Sequence, residues 1–579
     1  MNNHSTKTWE GGFVILLFNP KKFQGEHLDE KSRGIMKNTI DFFESKGKQR
    51  LKEDDRNRVW YEDLLEHVKE NEAFYTFLTP SEYGEGECRF DTWRNCHYNE
   101  ILSFYGLHYW YAWQVSILGL GPIWMGENHE AKEKAAKLLK EGHVFAFGLS
   151  ERDHGADIYS TEMTLAPQED GSYLANGEKY YIGNGNIAEM VSTFGKMSDT
   201  GDYVFFTANY KDHRYELKDS VVNAQSYVAD FALRDYVVKE EDILSKGQKA
   251  WDDALNTVNV GKYNLGWASI GICTHAFYES INHAANRVLY GMRVTDFPHV
   301  KKMFTDAYAR LVAMKLFALR TSDYMRSASK DDRRYLLYNP TVKMKVTTQG
   351  EEVIDLLWDV IAAKGFEKDT YFEMAARDIR ALPKLEGTVH VNLALILKFM
   401  KNYFFNPGEF PELSPQTQKN HDAFMFDQGP TKGLSKVQFH DYKKIYDRWD
   451  LSNVNIFKEQ ISDFKKMLVD ASPDENQQKD TDFLLELGEL FTLVVYGQLI
   501  LENSEIYEIE DELVDQIFDF MVRDFAKFAL ILYNKPATTV KQMDYLMKMI
   551  RKPEYDPDKF NKIWKEHVLA HEGVYEMNP

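Results

Sequence analysis

The chain has 579 residues, of which 44% are hydrophobic and 28% are charged. This balance is typical of a globular protein rather than a disordered chain, and the length allows roughly three or four domains. The formal net charge of −20 argues against nucleic acid or an anionic membrane surface as the partner of the whole chain.

Cysteine content and apolar runs give an expectation for the compartment. Cys88, Cys96 and Cys273 form neither a metal-binding spacing nor a disulfide framework, which indicates a reducing environment. The apolar run FVILLF at 13–18 is too short for a signal-peptide core or a membrane span, and LFTLVVYGQLIL at 490–501 is also short. We therefore expect a cytoplasmic protein without a membrane span.

In chain order, the first predicted region is helical and extends to residue 145. Apolar residues recur at three- and four-residue steps in IMKNTIDFFES and YEDLLEHVKE. Pro80, Gly84 and Gly86 in TPSEYGEGECRF interrupt this pattern and predict a loop. Gly142, at the end of HEAKEKAAKLLKEG, predicts a helix C-terminus.

The region from 146 to 255 is predicted to form a β domain. Aromatic and β-branched runs such as FAFGL, SYLANGEKYYI and DYVFFTANY alternate with turn residues such as DGS and DTGD, a pattern typical of hairpins. Helical periodicity returns from 256 to 403. A proline-rich linker follows at 404–439, and the region 440–579 is again predicted to be helical.

Four short motifs lack the context that their chemistry needs. GNGN (183–186) and GLGP (119–122) have neither the third glycine nor the strand–helix setting of a dinucleotide fingerprint. ERDH (151–154) is a single E-x-x-H in a predicted loop, whereas a di-iron site needs two on facing helices. In EHVLAHE (566–572), Val568 follows the first histidine where a zinc protease needs glutamate. We therefore predict no metal site.

Glu386 lies in the stretch RDIRALPKLEGTVHVN, between an apolar lead-in and the pair Gly387–Thr388. Pro383 cannot continue a preceding helix and Gly387 permits unusual backbone angles, so we predict a loop between two helices. A carboxylate is costly to bury there unless it is paired or protonated. Two interpretations are open on these residues alone: a glutamate near the dipole of the next helix, or a functional carboxylate.

Eight segments over about residues 30–400 carry motifs in a fixed order: TPSEYGEG (79–86), GENHEAKEKAAKLLKEG (126–142), FGLSERDHGADIYS (147–160), NGEKYYIGNG (176–185), RVLYGMRVTDFP (287–298), AAKGF (362–366), RD (377–378) and EGT (386–388). Together they resemble the acyl-CoA dehydrogenase family. They are similar to the family's P-x-x-Y-G-G loop, its segment before the sheet, its flavin loop T-E-P-x-x-G-S-D, its N-G-x-K-x-W-I-T-N-G strand, its R-x-x-F-G-x-x-I-x-x-F-P segment and its series G-G-x-G-F, R-D and E-G-T. Each motif alone is unspecific, and their joint order carries the resemblance.

The resemblance implies an α+β fold. An N-terminal helical domain (1–145) would precede a middle β-barrel or sandwich domain (146–255) and a flavin-binding C-terminal four-helix bundle (256–403) that carries the catalytic glutamate. The linker (404–439) and the additional C-terminal helical domain (440–579) are similar to those of the larger family members, where such a domain takes the place of a second dimer interface. We therefore expect a homo-oligomer, and a dimer rather than a tetramer.

The resemblance also implies a reaction: FAD-dependent α,β-dehydrogenation of an acyl-CoA thioester to the trans-2-enoyl-CoA, of the fatty-acid β-oxidation type, with an electron-transfer flavoprotein as the electron acceptor. Glu386 in E-G-T falls on the family's catalytic base, which removes the α proton while the β hydrogen leaves as hydride to the flavin. Such a proton transfer requires a positioned base and charge stabilisation at the thioester oxygen. A desolvated carboxylate is a stronger base than one in water.

Two other functions are kept as alternatives. An acyl-CoA oxidase of the same superfamily passes its electrons to oxygen, and no residue in the sequence separates it from a dehydrogenase. A non-catalytic scaffold that binds flavin or CoA is the third hypothesis, motivated by departures from the family pattern. Retention of Glu386 argues against the scaffold, which would have no need of a costly carboxylate.

The same resemblance assigns further residues to the cofactor and the substrate. Ser150 would hydrogen-bond the flavin ring, Tyr181 takes the place of a tryptophan that packs on the isoalloxazine, and Arg287 would hold the pyrophosphate of the neighbouring subunit's FAD. The predicted cofactor-binding residues are Phe147, Leu149, Ser150, Gly155, Ala156, Tyr181, Ile182, Gly183, Arg287, Leu289, Tyr290, Asp359, Ala362, Ala363, Thr388 and His390. The predicted substrate-binding residues are Ala156, Lys262, Leu385 and Gly387.

The chain departs from the family pattern at five of these positions. Gly183 replaces a threonine or serine whose hydroxyl bonds the flavin, and Ala156 replaces a serine. Asp359 stands where glutamine is usual, and its charge would repel a pyrophosphate unless it turns away. Ala362 and Ala363 replace two glycines that let the neighbouring subunit's FAD approach, so the departures bear on FAD affinity.

Overall fold

The computed structural model describes residues 8–9, 12–13 and 16–579. Part of the apolar run at 13–18 and the first residues of the predicted N-terminal domain lie outside this description. In chain order, helices precede and follow a central sheet in the described residues. The helices are α1 (Glu30–Asn57), α2 (Glu62–Glu70), α3 (Ala73–Leu78), α4 (Thr92–Tyr105), α5 (Leu107–Met125), α6 (His129–Lys140), α7 (Gly247–Asn286), α8 (Pro298–Arg326), α9 (Tyr335–Thr341), α10 (Thr347–Ile361), α11 (Tyr371–Asp378), α12 (Val389–Leu397), α13 (Met400–Phe405), α14 (Lys443–Tyr446), α15 (Ser452–Asp470), α16 (Thr481–Ile506), α17 (Asp511–Tyr533), α18 (Val540–Met549) and α19 (Pro557–Ile563).

The strands lie mostly between α6 and α7. They are β1 (Thr8–Trp9), β2 (Gly12–Phe13), β3 (Ala146–Gly148), β4 (Thr164–Pro167), β5 (Tyr173–Gly183), β6 (Val191–Met197), β7 (Tyr203–Ala208), β8 (Tyr215–Ser220), β9 (Val228–Val238), β10 (Ile243–Lys246), β11 (Val288–Leu289) and β12 (Met292–Arg293). Strands β3 to β10 form one sheet, and the other four form two short hairpins. The predicted fold class is therefore confirmed: helices, a central sheet, further helices and an additional helical region.

The chain divides into two compact units. The sheet unit comprises Lys22–Asn264, Gln418–Lys432 and Met577–Pro579. The bundle unit comprises Met1–Lys21, Leu265–Thr417 and Gly433–Glu576. The additional C-terminal helices thus belong to the same unit as α8 to α13. The finer boundaries proposed from the sequence stay a prediction.

The central sheet is mixed, with the strand order β10-β7-β6-β4-β5-β9-β8 and with β3 paired to β6. The predicted hairpins are present as β4–β5, β6–β7 and β8–β9, whose pairs are antiparallel. Strands β3 and β4 run parallel to β6, which the hairpin prediction missed. Parallel pairing needs a crossover connection rather than a tight turn, so no local turn signal announces it.

Local sequence accounts for the start of α1 and the end of α6 in the sheet unit. Asp29 caps α1 by accepting a hydrogen bond from the Ser32 N–H at 2.9 Å. Gly142 follows α6 with a φ of 87°, as expected for the residue beyond a helix C-terminus. A Cβ there would lie 2.5 Å from the Lys69 Cβ, so glycine is required for packing as well as for backbone conformation.

The predicted linker at 404–439 is only partly a free connection. After α13 the chain has no regular helix or strand other than short 3-10 turns until α14. Its middle part packs within the sheet unit: the Thr92 N–H donates to Asp422 Oδ2 at 2.7 Å, and the Asp422 N–H donates to the Phe90 carbonyl at 2.8 Å. Met425 is buried there. This segment therefore contributes to the core beside the start of α4.

In the bundle unit, α8 packs against α10 and against the added helices α16 and α17. Two buried ion pairs link them: Arg310 on α8 forms a bidentate pair with Asp524 on α17 at 2.8 and 2.9 Å, and Arg320 on α8 donates to Glu502 on α16 at 2.8 Å. Buried charges must be paired to be tolerated. The added helices are thus bonded to the bundle through its core.

Among the described residues, α16 alone is long and apolar enough to cross a membrane, by length and composition. The apolar run at 490–501 lies inside it, and the helix extends beyond the run in both directions. Of its most apolar window, 78% is buried inside the protein. Burial on nearly all sides accounts for its apolar composition, as in any helix at the centre of a core.

Candidate active site

The predicted site residues fall in both units and are described unit by unit. The sheet unit holds the loop after β3 and the end of β5, and the bundle unit holds the Glu386 loop, the β11–β12 hairpin and the end of α10. In the sheet unit lie Phe147, Leu149, Ser150, Gly155, Ala156, Tyr181, Ile182, Gly183 and Lys262. In the bundle unit lie Arg287, Leu289, Tyr290, Asp359, Ala362, Ala363, Leu385, Glu386, Gly387, Thr388 and His390.

A buried ion pair fixes the loop that follows β3. The Lys179 ammonium on β5 donates to Glu151 Oε1 at 2.7 Å and to the Leu149 carbonyl at 3.0 Å. The Glu151 carboxylate also accepts from the Thr161 hydroxyl and from the backbone N–H of Glu162. Because both ends of this network are satisfied, the loop is held rigidly against the strand.

Burial and charge act on this pair in opposite directions. Burial lowers the pKa of Lys179 to about 8, although Glu151 opposes that shift. Burial alone would raise the pKa of Glu151, but Lys179 brings it below its ordinary value. Sequence reasoning missed both residues. Their signal was present, since Glu151 belongs to FGLSERDHGADIYS and Lys179 to NGEKYYIGNG.

Ser150 keeps hydrogen-bonding capacity for a ligand. Its hydroxyl donates to the Tyr180 carbonyl at 2.9 Å, and the Tyr180 N–H donates to the Ser150 carbonyl at 3.0 Å. The hydroxyl proton is thus committed to the strand, which leaves the oxygen lone pairs to accept a hydrogen bond. Ser150 therefore suits a partner that offers an N–H group.

Tyr181 is turned out of the sheet by a β-bulge. The β5–β9 register shifts between Tyr180 and Ile182, and Tyr181 has a φ of 67°. Its side chain is 43% exposed, whereas Ile182 is buried. Bulges re-aim side chains and occur beside active sites. The exposed ring of Tyr181 offers a flat surface on which an aromatic ligand can stack.

Two predicted cofactor residues are core side chains. Phe147 is buried and its ring lies parallel to that of Phe205, with centroids 6.0 Å apart. Ile182 belongs to the hydrophobic core of the sheet. Only their backbone groups are placed to meet a ligand, so their predicted roles are restricted to main-chain contacts.

The departure at Gly183 has a steric reason within the sheet unit. A Cβ at this position would lie 2.7 Å from Val115 Cγ2 and 2.8 Å from Tyr111 Cε1, both on α5. These are closer than carbon atoms pack. The volume that a threonine or serine would use is thus filled by side chains of α5, a contact that the sequence pattern does not reveal.

Gly183→Ala is expected to lower the free energy of unfolding by about 1–3 kcal/mol, because the added methyl group overpacks against α5. The measurement is urea unfolding followed by circular dichroism. Gly155→Ala is the matched control: a Cβ at Gly155 would meet no atom within 4 Å, so its stability should change by less than about 0.5 kcal/mol. If Gly183→Ala were as stable as wild type, the side chains of α5 would have to move aside without a loss in the free energy of unfolding.

Gly155 and Ala156 lie on the exposed side of the loop. Since nothing in the protein approaches Gly155, any need for glycine at this position comes from a ligand rather than from packing. Lys262, by contrast, is buried on α7 within the sheet unit. Its predicted contact with CoA stays a prediction.

Glu386 lies, as predicted, in a loop between two helices. Helix α11 ends at Asp378 and α12 starts at Val389, with the Thr388 side chain capping α12 through the Val391 N–H. Glu386 and Gly387 both adopt left-handed backbone conformations, with φ values of 53° and 86°. Because Thr388 is the cap, Glu386 stands outside the helix start.

The backbone of Glu386 is in a conformation that costs free energy. A residue with a side chain pays roughly 1–2 kcal/mol in the left-handed region, and strain of this kind clusters at functional sites. The carboxylate oxygen Oε2 of Glu386 is shielded from solvent. Leu385 and Gly387 beside it are half-buried, whereas Thr388 and His390 are exposed. The loop thus presents a constrained, half-buried carboxylate with one oxygen shielded from solvent.

The segment that contains Arg287 forms an exposed apolar hairpin. Strands β11 and β12 are joined by Tyr290 and Gly291, whose φ values of 53° and 81° are those of a type I′ turn. Tyr290 is 96% exposed, and Val288 is also largely exposed. Among the described residues, Arg287 has no ion-pair partner. Such a surface is suited to contact with a partner molecule.

The end of α10 carries the other departures. Asp359, Ala362 and Ala363 are all exposed. Ala362 has φ 55° and ψ −137°, a conformation that glycine adopts readily and alanine does not. Ala362 therefore holds a backbone conformation that suits glycine, at a cost in strain.

Ala362→Gly is expected to raise the free energy of unfolding by about 1 kcal/mol, since it removes backbone strain of about 1–3 kcal/mol and adds a smaller glycine entropy term. Thermal unfolding measures the change. Ala363→Gly is the control, and its stability should change in the opposite direction. Ala363 does not have a positive φ, so glycine there should lower the free energy of unfolding by about 0.5–1 kcal/mol. A lower free energy of unfolding in Ala362→Gly than in wild type would show that the backbone of Ala362 is not strained.

Comparison with known proteins shows which family the chain is similar to. Residues 249–401 match the family model described as "Acyl-CoA dehydrogenase, C-terminal domain". The chain is 23% identical over 374 residues to a 3-(aryl)acrylate reductase of Clostridium sporogenes, covering 63% of this chain and 97% of the relative. It is 24% identical over 288 residues to subunit CarC of the caffeyl-CoA reductase–Etf complex of Acetobacterium woodii, covering 48% of this chain and 73% of the relative.

The fold of the whole described chain is also found in a solved structure. An acyl-CoA dehydrogenase from Bacillus anthracis, crystallised with FAD, superimposes with a TM-score of 0.73 at 18% identity. The match covers 96% of this chain and 97% of the other. It therefore includes the helices after residue 440, which are part of a shared architecture.

Proposed function

We propose that this chain, which belongs to the acyl-CoA dehydrogenase family, catalyses the FAD-dependent α,β-dehydrogenation of an acyl-CoA thioester to the trans-2-enoyl-CoA. The observation that carries the proposal is the strained, half-buried Glu386 in its E-G-T loop, with one carboxylate oxygen shielded from solvent. A general base must be positioned before it can act, and a protein maintains a strained backbone where function requires it.

Each unit, taken by itself, offers exposed groups that suit a part of FAD. The Ser150 oxygen can accept from a ring N–H, and the exposed ring of Tyr181 can stack on the isoalloxazine. The open side of Gly155 leaves room for close approach. In the sheet unit, Gly183 can contribute only backbone groups. In the bundle unit, the exposed guanidinium of Arg287 suits the pyrophosphate of the neighbouring subunit's FAD. These residues would hold the cofactor.

The chemistry assigned to the chain is a proton transfer. Glu386 would accept the α proton of the acyl thioester, and the backbone N–H of Glu386 would donate to the thioester oxygen as negative charge develops there. Leu385 and Gly387, beside Glu386, would contact the substrate. A bound FAD supplies the acceptor for the hydride that leaves the β carbon. The two C–H bonds are thus exchanged for a C=C bond, with the proton on Glu386.

We further propose an electron-transfer flavoprotein as the electron acceptor, in a homodimeric and cytoplasmic enzyme of fatty-acid oxidation. The name of the CarC relative, a subunit of a complex with Etf, supports the first part. The exposed hairpin residues Val288, Leu289 and Tyr290 support a partner surface. All three cysteines are buried, and none of them forms a disulfide among the described residues, which supports a reducing compartment.

The test is a visible spectrum of the purified protein, followed by anaerobic addition of saturated acyl-CoAs from short to long. Bleaching of the flavin band by one length class would support dehydrogenation and identify the substrate class. A flavin band that no acyl-CoA bleaches would contradict the acyl-CoA assignment. A protein that binds no flavin even after addition of FAD would instead support the scaffold alternative.

The oxidase alternative is separated from the dehydrogenase by the electron acceptor. With the substrate identified above, we expect slow oxygen consumption and rapid reduction of an electron-transfer flavoprotein. Rapid oxygen consumption with hydrogen peroxide as the product would make the protein an acyl-CoA oxidase.

A further inference from the structure

A π turn interrupts the helical run from α9 to α10 in the bundle unit. Residues Val342–Val346 form this single turn of π helix. Such turns are rare and occur often at functional sites, because they cost regular hydrogen bonding and must be compensated. The turn carries two buried lysines, Lys343 and Lys345.

Lys343 points at the Glu386 loop. Its side chain is 0% exposed, and its ammonium donates to the Pro383 carbonyl at 2.6 Å and to the Gly387 carbonyl at 2.5 Å. These two carbonyls lie on either side of Glu386 in the chain. A single buried cation therefore spans the loop beneath the candidate base.

The geometry explains how consecutive left-handed residues persist at Glu386 and Gly387. A loop with this backbone is strained and needs contacts that outweigh the strain. The Gly387 carbonyl is bonded a second time, by the Asn392 side-chain amide at 3.1 Å. Charge-assisted hydrogen bonds such as those from Lys343 are about twice as strong as neutral ones.

Lys345 provides a contrast within the same turn. It is also buried, but its ammonium lies 3.9 Å from Glu489 Oε2 on α16 and 5.0 Å from the centroid of the Phe528 ring. No hydrogen bond from Lys345 to the Glu386 loop is present in the described structure. The two lysines thus share burial and helix geometry, while only Lys343 holds the loop.

We propose that Lys343 is a positioning residue for the reaction: it clamps the Pro383 and Gly387 carbonyls and so fixes the carboxylate and backbone N–H of Glu386 in their working orientation. This inference rests on the proposed function for its effect on turnover. Its structural part, the clamp on the loop, can be tested without substrate or cofactor.

The first measurement is hydrogen exchange of the backbone amides at 384–388 in Lys343→Gln, Lys345→Gln and wild type. Glutamine retains part of the side-chain volume and one donor group. We expect exchange of the loop amides to rise at least tenfold in Lys343→Gln and to stay at the wild-type rate in Lys345→Gln. Unchanged loop exchange in Lys343→Gln, or an equal rise in both variants, would overturn the clamp.

The second measurement is steady-state turnover with the acyl-CoA that bleaches the wild-type flavin. A misplaced reacting group costs rate rather than binding, so Lys343→Gln should lose about 10–100-fold in kcat with little change in KM, and Lys343→Met should lose more. Lys345→Gln should keep the wild-type kcat. Wild-type kcat in Lys343→Gln would overturn the positioning role. Inactivity of the wild type itself would count against the proposed function and leave the exchange result standing.

Discussion

Replacement of Glu386 by glutamine is expected to lower acyl-CoA dehydrogenation by about 10²–10⁴-fold, the usual contribution of a general base. Glutamine has nearly the same shape as glutamate but cannot accept the α proton. Because the predicted flavin contacts lie on other residues, the variant should keep its flavin spectrum. The measurement is the rate of flavin bleaching after rapid anaerobic mixing with substrate.

Glu367→Gln is the matched control for this variant. Glu367 is an exposed glutamate of the same unit, and its ion pair with Lys364 at 2.7 Å lies at the surface. Its replacement should leave the bleaching rate unchanged and shift stability by less than about 1 kcal/mol. Activity of Glu386→Gln above about a hundredth of wild type would contradict the assignment of the base, since removal of a base costs at least about 10²-fold.

The sequence predicted those parts of the site that depend on local chemistry. Pro383 and Gly387 predicted a loop around Glu386 between two helices, as the structure has it. The turn residues DGS and DTGD predicted the β4–β5 and β6–β7 hairpins. Each of these inferences uses residues that are close together in the chain.

The parts that sequence reasoning missed depend on contacts between distant residues. The steric need for Gly183 comes from Tyr111 and Val115, far earlier in the chain. The clamp on the Glu386 loop comes from Lys343, forty residues before Pro383. Nothing in the sequence VKMKV indicates that its two lysines are buried. The π turn, which only the structure shows, directs Lys343 toward the loop.

Replacement of Glu502 by alanine is expected to lower the free energy of unfolding by about 3–5 kcal/mol, the usual result of breaking a buried ion pair from one side. Glu502 is buried on α16 and accepts from Arg320 and Tyr324, both on α8, at 2.8 Å each. It also pairs with His440 at 2.9 Å and accepts from Gln498 at 2.8 Å. Its removal would take away one of the two buried carboxylates that Arg320 contacts and leave only Asp323, at 3.0 Å on the same helix.

The pH dependence of this loss has a definite sign. Burial alone would raise the pKa of Glu502, but Arg320 and His440 hold it well below its usual range. A carboxylate whose pKa is lowered by folding stabilises the protein at pH values above its unfolded pKa of about 4.3, and this stabilisation is lost as the pH falls toward the folded pKa. Glu502→Gln isolates this contribution, because glutamine keeps the shape of the side chain and removes its charge. The difference in the free energy of unfolding between wild type and Glu502→Gln should therefore be constant from pH 8 to about 5 and become smaller below about 4.

Glu505→Gln separates this effect from a general sensitivity of α16. Glu505 lies one turn further along the helix, where it is exposed and pairs with Arg448 at 2.8 Å. Surface pairs contribute about 0–1 kcal/mol, so urea unfolding of this variant should match wild type closely. If Glu502→Ala were as stable as Glu505→Gln, the polar network would be contributing nothing to the folded state.

A large loss in Glu502→Ala would also bear on how the added helices relate to the bundle. Both partners on α8, Arg320 and Tyr324, belong to the bundle that precedes the linker, whereas Glu502 and Gln498 belong to the added region. Arg310, also on α8, forms a second such pair with Asp524 on α17 of the added region. Because each pair is buried, separation of the two regions would leave Arg310 without Asp524 and Glu502 without Arg320. We therefore expect α8, α16 and α17 to unfold in a single transition, rather than as a bundle with a separable C-terminal domain.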